Sequence, residues 1–378
     1  MEGGTAKAPG KILWIGGYAV LERPCVSYVT TVDAFIEAEV ERLAGEEVRI
    51  IAPEINRSGK GSVDPATGKV SMDCSRELEL ARTAADVACS YISSKKVRVR
   101  GFELRTKSAG AFSYKVRSGK VSKSGLGSSA AVSVAVVNAI LKAFGIHYKL
   151  DEAHKLAQIA HSLANGKVGS GFDVAAASYG SIIYTRYSAG LIEGIGDRDG
   201  FGRKLSGMVE MEWDYAIEPL QLPERFNIAF ASFKDRGMET NAAVGSVSSY
   251  KRDNPGSYSK LIKEMDIYDR AAVDSLRRMR SGESAERDFC AAFEKGREVS
   301  KKLGEASGVE IEPDECTELI EESKENGALV AKLPGAGGRD AIAALSVGEK
   351  NHSKLIDFWK GRKELEVIDI GSDNKGVR

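Results

Sequence analysis

Residues 123–131 read KSGLGSSAA, and an apolar stretch from Ala130 to Leu141 continues directly from them. Gly125 and Gly127 allow the backbone to turn so that successive N–H groups point into one concavity. The apolar stretch predicts a buried helix, whose first N–H groups have no partner within the helix and lie at the positive end of its dipole. This arrangement favours an anion site, and phosphate is the expected ligand. The alternative is a tight turn that caps the helix without a ligand.

Two known phosphate loops can be compared with this stretch. The P-loop pattern G-x-x-x-x-G-K-[ST] is absent. Gly125 to Ala130 matches G-x-G-x-x-A by letter, but a dinucleotide site also needs an acidic residue at the end of a second strand ~20 residues on. The next acidic residue is Asp151, which we expect to cap a helix. A nucleotide phosphate therefore stays open, whereas a dinucleotide is disfavoured.

Three further glycine-containing stretches could lie near a ligand. Lys11 follows Pro9 and Gly10 at the start of a predicted strand, Asp173 follows GSGF at a predicted helix start, and residues 333–340 read LPGAGGRD. Each also has an ordinary explanation, namely a solvated lysine, an N-cap carboxylate and a β-turn.

The composition excludes several classes of protein. The 378 residues are 42% hydrophobic and 29% charged, and Lys+Arg equals Asp+Glu at 54 each, so we expect neither nucleic-acid nor membrane binding. Five scattered cysteines without a C-x-x-C motif argue against disulfides or structural zinc and favour a cytoplasmic protein. The N-terminal residues do not resemble a signal peptide, and the longest apolar stretch is too short to cross a bilayer.

Strand-like and helix-like patterns alternate irregularly along the chain, which favours an α+β fold over a doubly wound sheet. We predict a first domain over 1–220 and a second over 221–378. Gly59 to Gly68 is predicted to be a loop, and long charged helices are predicted near 240–280, 284–303 and 313–326. Residues 188–207, which are rich in glycine, are expected to form a loop or an exposed hairpin.

Three histidines recur every seven residues, at 147, 154 and 161. Consecutive members would be ~10 Å apart along a helix, which is too far to share one metal ion. We therefore predict solvated histidines.

Four stretches resemble, in order, the motifs of the GHMP kinases, the superfamily of galactokinase, homoserine kinase, mevalonate kinase and phosphomevalonate kinase. APGKILWIGG (8–17) is similar to the first motif, GLGSSAA (125–131) to the second and GAGGRD (335–340) to the third, which normally reads GAGGGD. GKVGSGFDVAAASYGS (166–181) resembles the phosphomevalonate kinase branch in particular, as does GGYAVL (16–21). The resemblance covers nearly the whole chain and is thinner between 188 and 325.

The resemblance implies a two-domain fold and phosphoryl transfer from ATP with Mg²⁺. The N-terminal domain would resemble domain 2 of ribosomal protein S5, and the C-terminal domain would be related to the ferredoxin-like sandwich. The acceptor would be a small phosphorylated mevalonate, and the protein would act as a monomer or homodimer.

The resemblance also assigns roles to residues of this chain. The catalytic pair would be Lys11 and Asp173. The ATP phosphates would be bound by Lys123, Gly125, Leu126, Gly127, Ser128, Ser129 and Ala130, with Ser128 also a ligand of Mg²⁺. The acceptor would be contacted by Tyr18, Gly169, Ser170, Arg186, Lys234, Gly335, Gly337, Gly338 and Arg339.

Two departures from the family pattern leave the acceptor open. Arg339 replaces a glycine and would either bind a phosphate of the acceptor or face solvent, and residues 231–240 are unusually charged for a segment expected near the acceptor. We expect mevalonate 5-phosphate, whose phosphate would attack ATP. The alternative is mevalonate 3-phosphate, whose 5-hydroxyl would attack, as in a modified archaeal route. A more distant alternative is a regulator that binds nucleotide without turnover.

Overall fold

Two sheets carry the fold, one mainly from each half of the chain. The computed structural model describes residues 3–115, 121–196, 200–235 and 240–378. The strands are β1 (Gly3–Ile15), β2 (Ser27–Arg42), β3 (Glu47–Ala52), β4 (Arg57–Val63), β5 (Val70–Asp73), β6 (Phe102–Ser108), β7 (Ser113–Lys115), β8 (Val121–Lys123), β9 (Ile182–Thr185), β10 (Ala216–Pro219), β11 (Phe226–Phe233), β12 (Ala328–Lys332), β13 (Ala341–Val347) and β14 (Leu365–Val367). The helices are α1 (Glu79–Ser94), α2 (Ser128–Ala143), α3 (Leu150–Asn165), α4 (Phe172–Tyr179), α5 (Phe201–Glu210), α6 (Thr240–Asp253), α7 (Pro255–Arg280), α8 (Glu286–Ser307), α9 (Asp314–Glu325) and α10 (Gly348–Lys360).

The first sheet is organised around the long strand β2. Its strand order is β10-β9-β2-β6-β3-β4-β5, and β1 pairs antiparallel with β2 from Gly3↔Glu41 to Ile15↔Tyr28. Side chains of β2 alternate between buried and exposed along its second half, as expected for a sheet with one face on the core. The largely buried helix α2 lies against β1 and β2, which explains why its sequence is apolar on all sides.

The second sheet is antiparallel, in the order β12-β13-β11-β14. Its core includes the buried indole of Trp359 in α10, whose Nε1 donates to the hydroxyl of Ser323 in α9 at 2.9 Å. The helices α7 and α8 pack against each other, and α7 also contacts β1. Among the described residues, none of the helices has an apolar stretch long enough to cross a membrane.

Residues 371–378 return to the first sheet after β14. Ser372 forms a bridge with Val32 of β2, and the N–H of Lys7 in β1 donates to the carbonyl of Arg378 at 2.8 Å. The interval between β10 and β11 separates the two sheets, so we propose the domain boundary near residue 220, with 371–378 packed on the first domain.

The predicted α+β class is confirmed, but several local predictions are wrong. Residues 57–63 form the strand β4 rather than part of a loop, and Pro255 divides the helix predicted near 240–280 into α6 and α7. The glycine-rich run 188–207 contains a short 3₁₀ helix and the start of α5 rather than a hairpin. The apolar side chains of α5, at 201, 205 and 209, have helical spacing and are buried.

The helix α3 begins one residue earlier than its predicted cap. Lys149 occupies the N-cap position, and the carboxylate of Glu152 accepts its N–H at 2.7 Å. Asp151 therefore lies in the first turn instead of capping the helix. Its carboxylate pairs with Lys155 at 2.8 Å and accepts hydrogen bonds from the hydroxyls of Tyr179 and Tyr215.

The prediction of solvated histidines is wrong for His154, which is fully buried. Its ring packs edge-on against the rings of Tyr179 and Tyr215, and its Nε2 lies 2.9 Å from the amide nitrogen of Gln158. Because the amide nitrogen is a donor, this Nε2 is the acceptor and the ring is neutral. Burial lowers the pKa of His154 to about 3.

This buried histidine should make the protein sensitive to mild acid. In the unfolded chain the imidazole takes up a proton near its ordinary pKa of ~6.5, whereas the folded protein resists protonation to about pH 3. The contribution of neutral, buried His154 to the free energy of unfolding is therefore complete above about pH 6.5. It is lost as the pH falls, by up to ~1.4 kcal/mol per pH unit.

Urea unfolding between pH 7 and 4.5 measures this loss against the variant His154→Gln, which cannot titrate but keeps an acceptor for Gln158. We expect the free energy of unfolding of the native protein to fall more steeply than that of the variant. Parallel pH profiles for the two proteins would contradict the assignment of a neutral buried ring.

Candidate active site

The turn between β8 and α2 presents backbone N–H groups at the start of a buried helix. Gly125 and Gly127 both have left-handed φ angles, +84° and +81°, and Gly127 is the N-cap of α2. Ser128 and Ser129 are half-buried in the first turn, where the helix N–H groups lack helical acceptors. Ser124 is buried, and within the described part of the chain its hydroxyl has no hydrogen-bond partner.

Strand β1 brings Lys11 to this turn. The Lys11 N–H donates to the carbonyl of Leu126 at 2.8 Å, and its Nζ donates to the carbonyl of Gly125 at 2.9 Å. The side chain passes so close to Gly127 that a Cβ there would lie 2.8 Å from Cε of Lys11. The φ angle therefore favours glycine at position 127, and a side chain there would also displace the side chain of Lys11.

The helix α4 places a carboxylate beside the same lysine. Asp173 lies in the first turn of α4, where one carboxylate oxygen accepts the N–H of Val174 at 3.0 Å. Burial lowers the pKa of Lys11, and the negative charge of Asp173 opposes that shift. The Lys11 Nζ also lies 5.7 Å from the ring centroid of Phe172, on a face that attracts cations. The structure thus brings the two predicted catalytic residues together.

The loop before α4 is held through its carbonyl groups. The Gly169 carbonyl accepts from Nη2 of Arg186 at 3.0 Å, and the Ser170 carbonyl accepts from the Tyr184 hydroxyl at 3.0 Å. The amide nitrogen of Gln158 donates to the carbonyl of Gly171, the N-cap of α4, at 2.7 Å. These contacts fix the direction in which α4 starts, and hence the position of Asp173.

The third glycine turn, residues 335–338, follows strand β12 of the second sheet. Its Gly338 N–H donates to the carbonyl of Ile311 at 2.8 Å, and the carbonyl of Ala336 accepts the hydroxyl of Tyr18 at 2.9 Å. Burial raises the pKa of Tyr18 to about 12, so its hydroxyl keeps its proton and remains a donor. Tyr18 therefore joins the turn that follows β1 to the third glycine turn.

The three cationic candidates for acceptor binding, Arg186, Lys234 and Arg339, all have partners within the protein. Lys123, which is predicted to bind the ATP phosphates, is exposed. Arg186 also donates to the Leu21 carbonyl at 2.7 Å, and Lys234 pairs with Glu366 at 3.3 Å. Arg339 pairs with Glu315 at 2.8 Å and lies over the ring of Phe233, so it is not free in solvent. A direct role for these three in acceptor binding stays a prediction. Residues 236–239 of the charged stretch 231–240 lie outside the described residues.

The motifs did not reveal two charged residues beside this site. Asp269 in α7 accepts the N–H of Gly16 at 3.2 Å, and Lys332 at the end of β12 donates to the carbonyl of Trp14 at 3.1 Å. One sequence signal could have indicated Asp269, because it interrupts the apolar stripe formed by Met265, Val273 and Leu276.

Alanine substitutions in the third glycine turn should separate backbone strain from steric conflict. Gly335 and Gly337 have similar φ angles, +72° and +79°, but a Cβ at Gly337 would lie 2.2 Å from the Ile311 carbonyl oxygen, whereas at Gly335 it would meet nothing within 4 Å. We expect Gly335→Ala to cost ~1 kcal/mol of unfolding free energy from the left-handed backbone alone.

The variant Gly337→Ala should cost about 1–3 kcal/mol more, because the turn must move away from Ile311. Urea unfolding without ligand measures both variants. Equal losses of stability would show that the turn does not depend on this close approach.

Two family models match this chain, one in each of its halves. The family model described as the GHMP kinases N terminal domain matches residues 77–181, and the GHMP kinases C terminal model matches residues 289–363. The Candida albicans phosphomevalonate kinase is 29% identical, with 89% of this chain and 88% of that protein covered. The peroxisomal phosphomevalonate kinase of Arabidopsis thaliana is 28% identical, with 99% and 95% covered.

A solved structure shares the fold over the whole length. Phosphomevalonate kinase of Streptococcus pneumoniae, in complex with phosphomevalonate and AMPPNP, superposes with a TM-score of 0.76 at 19% identity, covering 98% of this chain and 99% of that one. Both family models occur in order along the chain. Lys11 and the charge of Asp173 meet at the phosphate turn, and the third glycine turn contacts Tyr18 a few residues after Lys11. The chain contains, in order, the GHMP kinases N terminal domain and the GHMP kinases C terminal domain.

Proposed function

We propose that the protein is a phosphomevalonate kinase, which transfers the γ-phosphoryl group of ATP to the phosphate of mevalonate 5-phosphate and releases ADP and mevalonate 5-diphosphate. The observation that carries the proposal is the position of Lys11 between the Gly125 carbonyl and Asp173, beside the start of α2. The two relatives compared above, which match 99% and 89% of the chain, are phosphomevalonate kinases, and this supports the choice of acceptor.

The turn 124–129 suits the triphosphate of ATP in three respects. The N–H groups of the first turn of α2 lack helical acceptors, and the helix dipole favours an anion there. The space beside Gly125 is open, since a Cβ there would meet nothing within 4 Å. The buried hydroxyl of Ser124 has no partner in the described part of the chain, so a ligand oxygen could satisfy it.

Magnesium fits the same donor set. Mg²⁺ in kinases takes few protein ligands and many phosphate and water oxygens, and the hydroxyl of Ser128 at the helix start is the oxygen that would hold it. When bound, the ion neutralises negative charge on the phosphate oxygens.

Lys11 and Asp173 have complementary tasks in this proposal. The ammonium group of Lys11 faces the place where charge builds up on the transferred phosphoryl group, and such positioned charge lowers the barrier of phosphoryl transfer. The negative charge of Asp173 favours the charged form of that ammonium group. An acceptor phosphate has a second pKa of ~6 and is already an anion at neutral pH, so no base has to take a proton from it.

An acceptor panel tests the proposed reaction directly. The purified protein is mixed with ATP, Mg²⁺ and either mevalonate, mevalonate 3-phosphate or mevalonate 5-phosphate, and ADP release is followed together with the mass of the product. We expect turnover with mevalonate 5-phosphate and formation of the diphosphate.

If mevalonate 3-phosphate is the only acceptor that is turned over, the attacking group is a hydroxyl and not a phosphate. ATP binding without ADP release from any acceptor would instead indicate a nucleotide-binding regulator.

The variant Asp173→Asn adds a second criterion. We expect about a tenfold loss of kcat, whereas removal of a general base costs ~10²–10⁴-fold and would point to an attacking hydroxyl.

Strand β1 also offers a matched pair of lysines. Lys7 lies four residues before Lys11 on the same strand, and its Nζ lies 4.8 Å from the ring centroid of Phe35, away from the phosphate turn. We expect Lys11→Met to lower kcat by ~100-fold or more, because one positioned charge is lost from the transition state, while Lys7→Met keeps nearly full activity. Steady-state kinetics under saturating ATP measures both, and similar losses in the two variants would remove Lys11 from the mechanism.

A further inference from the structure

The turn that follows Lys11 is attached to the C-terminal half at three alternate residues. The Trp14 carbonyl accepts from Nζ of Lys332, the Gly16 N–H donates to Oδ1 of Asp269, and the Tyr18 hydroxyl donates to the carbonyl of Ala336. The three partners come from β12, α7 and the third glycine turn. Each contact therefore ties the same short segment to a different element.

Asp269 and Lys332 face a common cavity at this junction. The cavity has a volume of about 40 Å³, which is enough for a few water molecules, and Tyr18, Gly335 and Gly337 also line it. Asp269 is 5% exposed, and among the described residues its second carboxylate oxygen has no hydrogen-bond partner. An oxygen of a buried carboxylate that lacks a partner costs free energy. The presence of Asp269 at this place therefore indicates a positional task.

We propose that Asp269 and Lys332 are positioning residues, which hold the segment 14–18 against the third glycine turn and so set the position of Tyr18 at the acceptor side of the site. The expected change in acceptor binding rests on the proposed kinase function, whereas the attachment of the segment 14–18 does not depend on it. Removing either side chain should loosen this segment and weaken acceptor binding, while the ATP turn at 124–129, which is held by other contacts, keeps its geometry.

The charges around the pair make its effect depend on pH. Burial raises the pKa of Asp269 to about 7, with Lys332 and Arg270 opposing the shift and Asp266 adding to it. Burial lowers the pKa of Lys332 to about 8, where Asp269 and Glu312 oppose the shift and Arg297 adds to it. The carboxylate is thus charged above about pH 7 and the ammonium below about pH 8. We expect the KM for the acceptor to be lowest in that interval and to rise several-fold on either side.

Two measurements on the full-length protein test the proposal with four variants. Asp269→Ala and Lys332→Met remove the contacts, and Asp269→Asn keeps an acceptor for the Gly16 N–H but cannot ionise. Asp274→Asn is the matched control, since Asp274 lies on the same helix and its side chain is 65% exposed. Steady-state kinetics gives the KM for mevalonate 5-phosphate, the KM for ATP and kcat, and hydrogen exchange with mass spectrometry compares peptides that cover 12–18 and 34–40.

We expect Asp269→Ala and Lys332→Met to raise the acceptor KM by roughly tenfold or more, in line with loss of a hydrogen bond to a charged group, while the ATP KM stays within twofold. Exchange in the 12–18 peptide should accelerate by about the same factor, with the 34–40 peptide unchanged. Asp269→Asn should raise the acceptor KM only several-fold, as protonation of Asp269 does, and should lose the rise in KM below pH 7 that the native enzyme shows beyond the titration of the substrate phosphate itself.

The proposal is overturned if Asp269→Ala and Lys332→Met leave both the acceptor KM and the 12–18 exchange at native values. It is also overturned if both KM values rise together and exchange accelerates in both peptides, because the pair would then only stabilise the fold. If the native protein phosphorylates no acceptor, the proposed function fails, and the exchange measurement still decides whether the pair holds the segment.

Discussion

The ammonium group of Lys11 has to stay charged at a place where burial disfavours charge, and the rest of the site is arranged around this requirement. Burial lowers its pKa, while the carboxylate of Asp173 counteracts the shift. The Gly125 carbonyl and the ring face of Phe172 supply the remaining favourable contacts. A buried charge is tolerated only with such partners. Because Asp173 and Phe172 both belong to α4, the start of that helix has to be fixed, and the carbonyl contacts of Gln158 and Arg186 to the preceding loop do this.

Strand β1 links the phosphate turn to the C-terminal half of the molecule. Its pairing with β2 extends over nearly its whole length, so Lys11 cannot move without the strand. The same strand ends at the segment 14–18, which is attached to β12, α7 and the third glycine turn. The phosphate turn and the third glycine turn are therefore connected through the short stretch from Lys11 to Tyr18, and a shift of the C-terminal half would reach Lys11 through this stretch.

The parts of the site that the sequence predicts are those encoded in contiguous residues. The turn at 125–129, the carboxylate at 173 and the third glycine turn each carry their own glycines and helix start, so local patterns identify them. Asp269 and Gly16 are 253 residues apart, and no local pattern joins them. Buried His154 was missed for a similar reason, since its covering side chain Tyr215 comes from a distant segment.

Two of the wrong predictions of secondary structure, at β4 and α5, have a common cause in glycine. Strand β4 contains Gly59 and Gly61, and α5 contains Gly202 and Gly207, so composition indicated loops at both places. Pairing with β3 and β5 nevertheless makes residues 57–63 a strand, and burial of an apolar stripe makes 201–210 a helix. Tertiary contacts outweigh intrinsic propensities of this size.

The balance of charges shows how a neutral chain can accept strongly anionic substrates. The net charge is zero, and near the site Arg186, Lys234 and Arg339 are occupied by carbonyl groups or by the carboxylates of Glu366 and Glu315. The attraction for phosphate must therefore come mainly from oriented N–H groups at the start of α2, which add positive potential without adding net charge. Lys11 adds a partly buried positive charge at that turn, and the negative charge of Asp173 favours its charged form. A phosphate site built in this way leaves almost no trace in the overall composition and is visible only where glycines precede a buried helix.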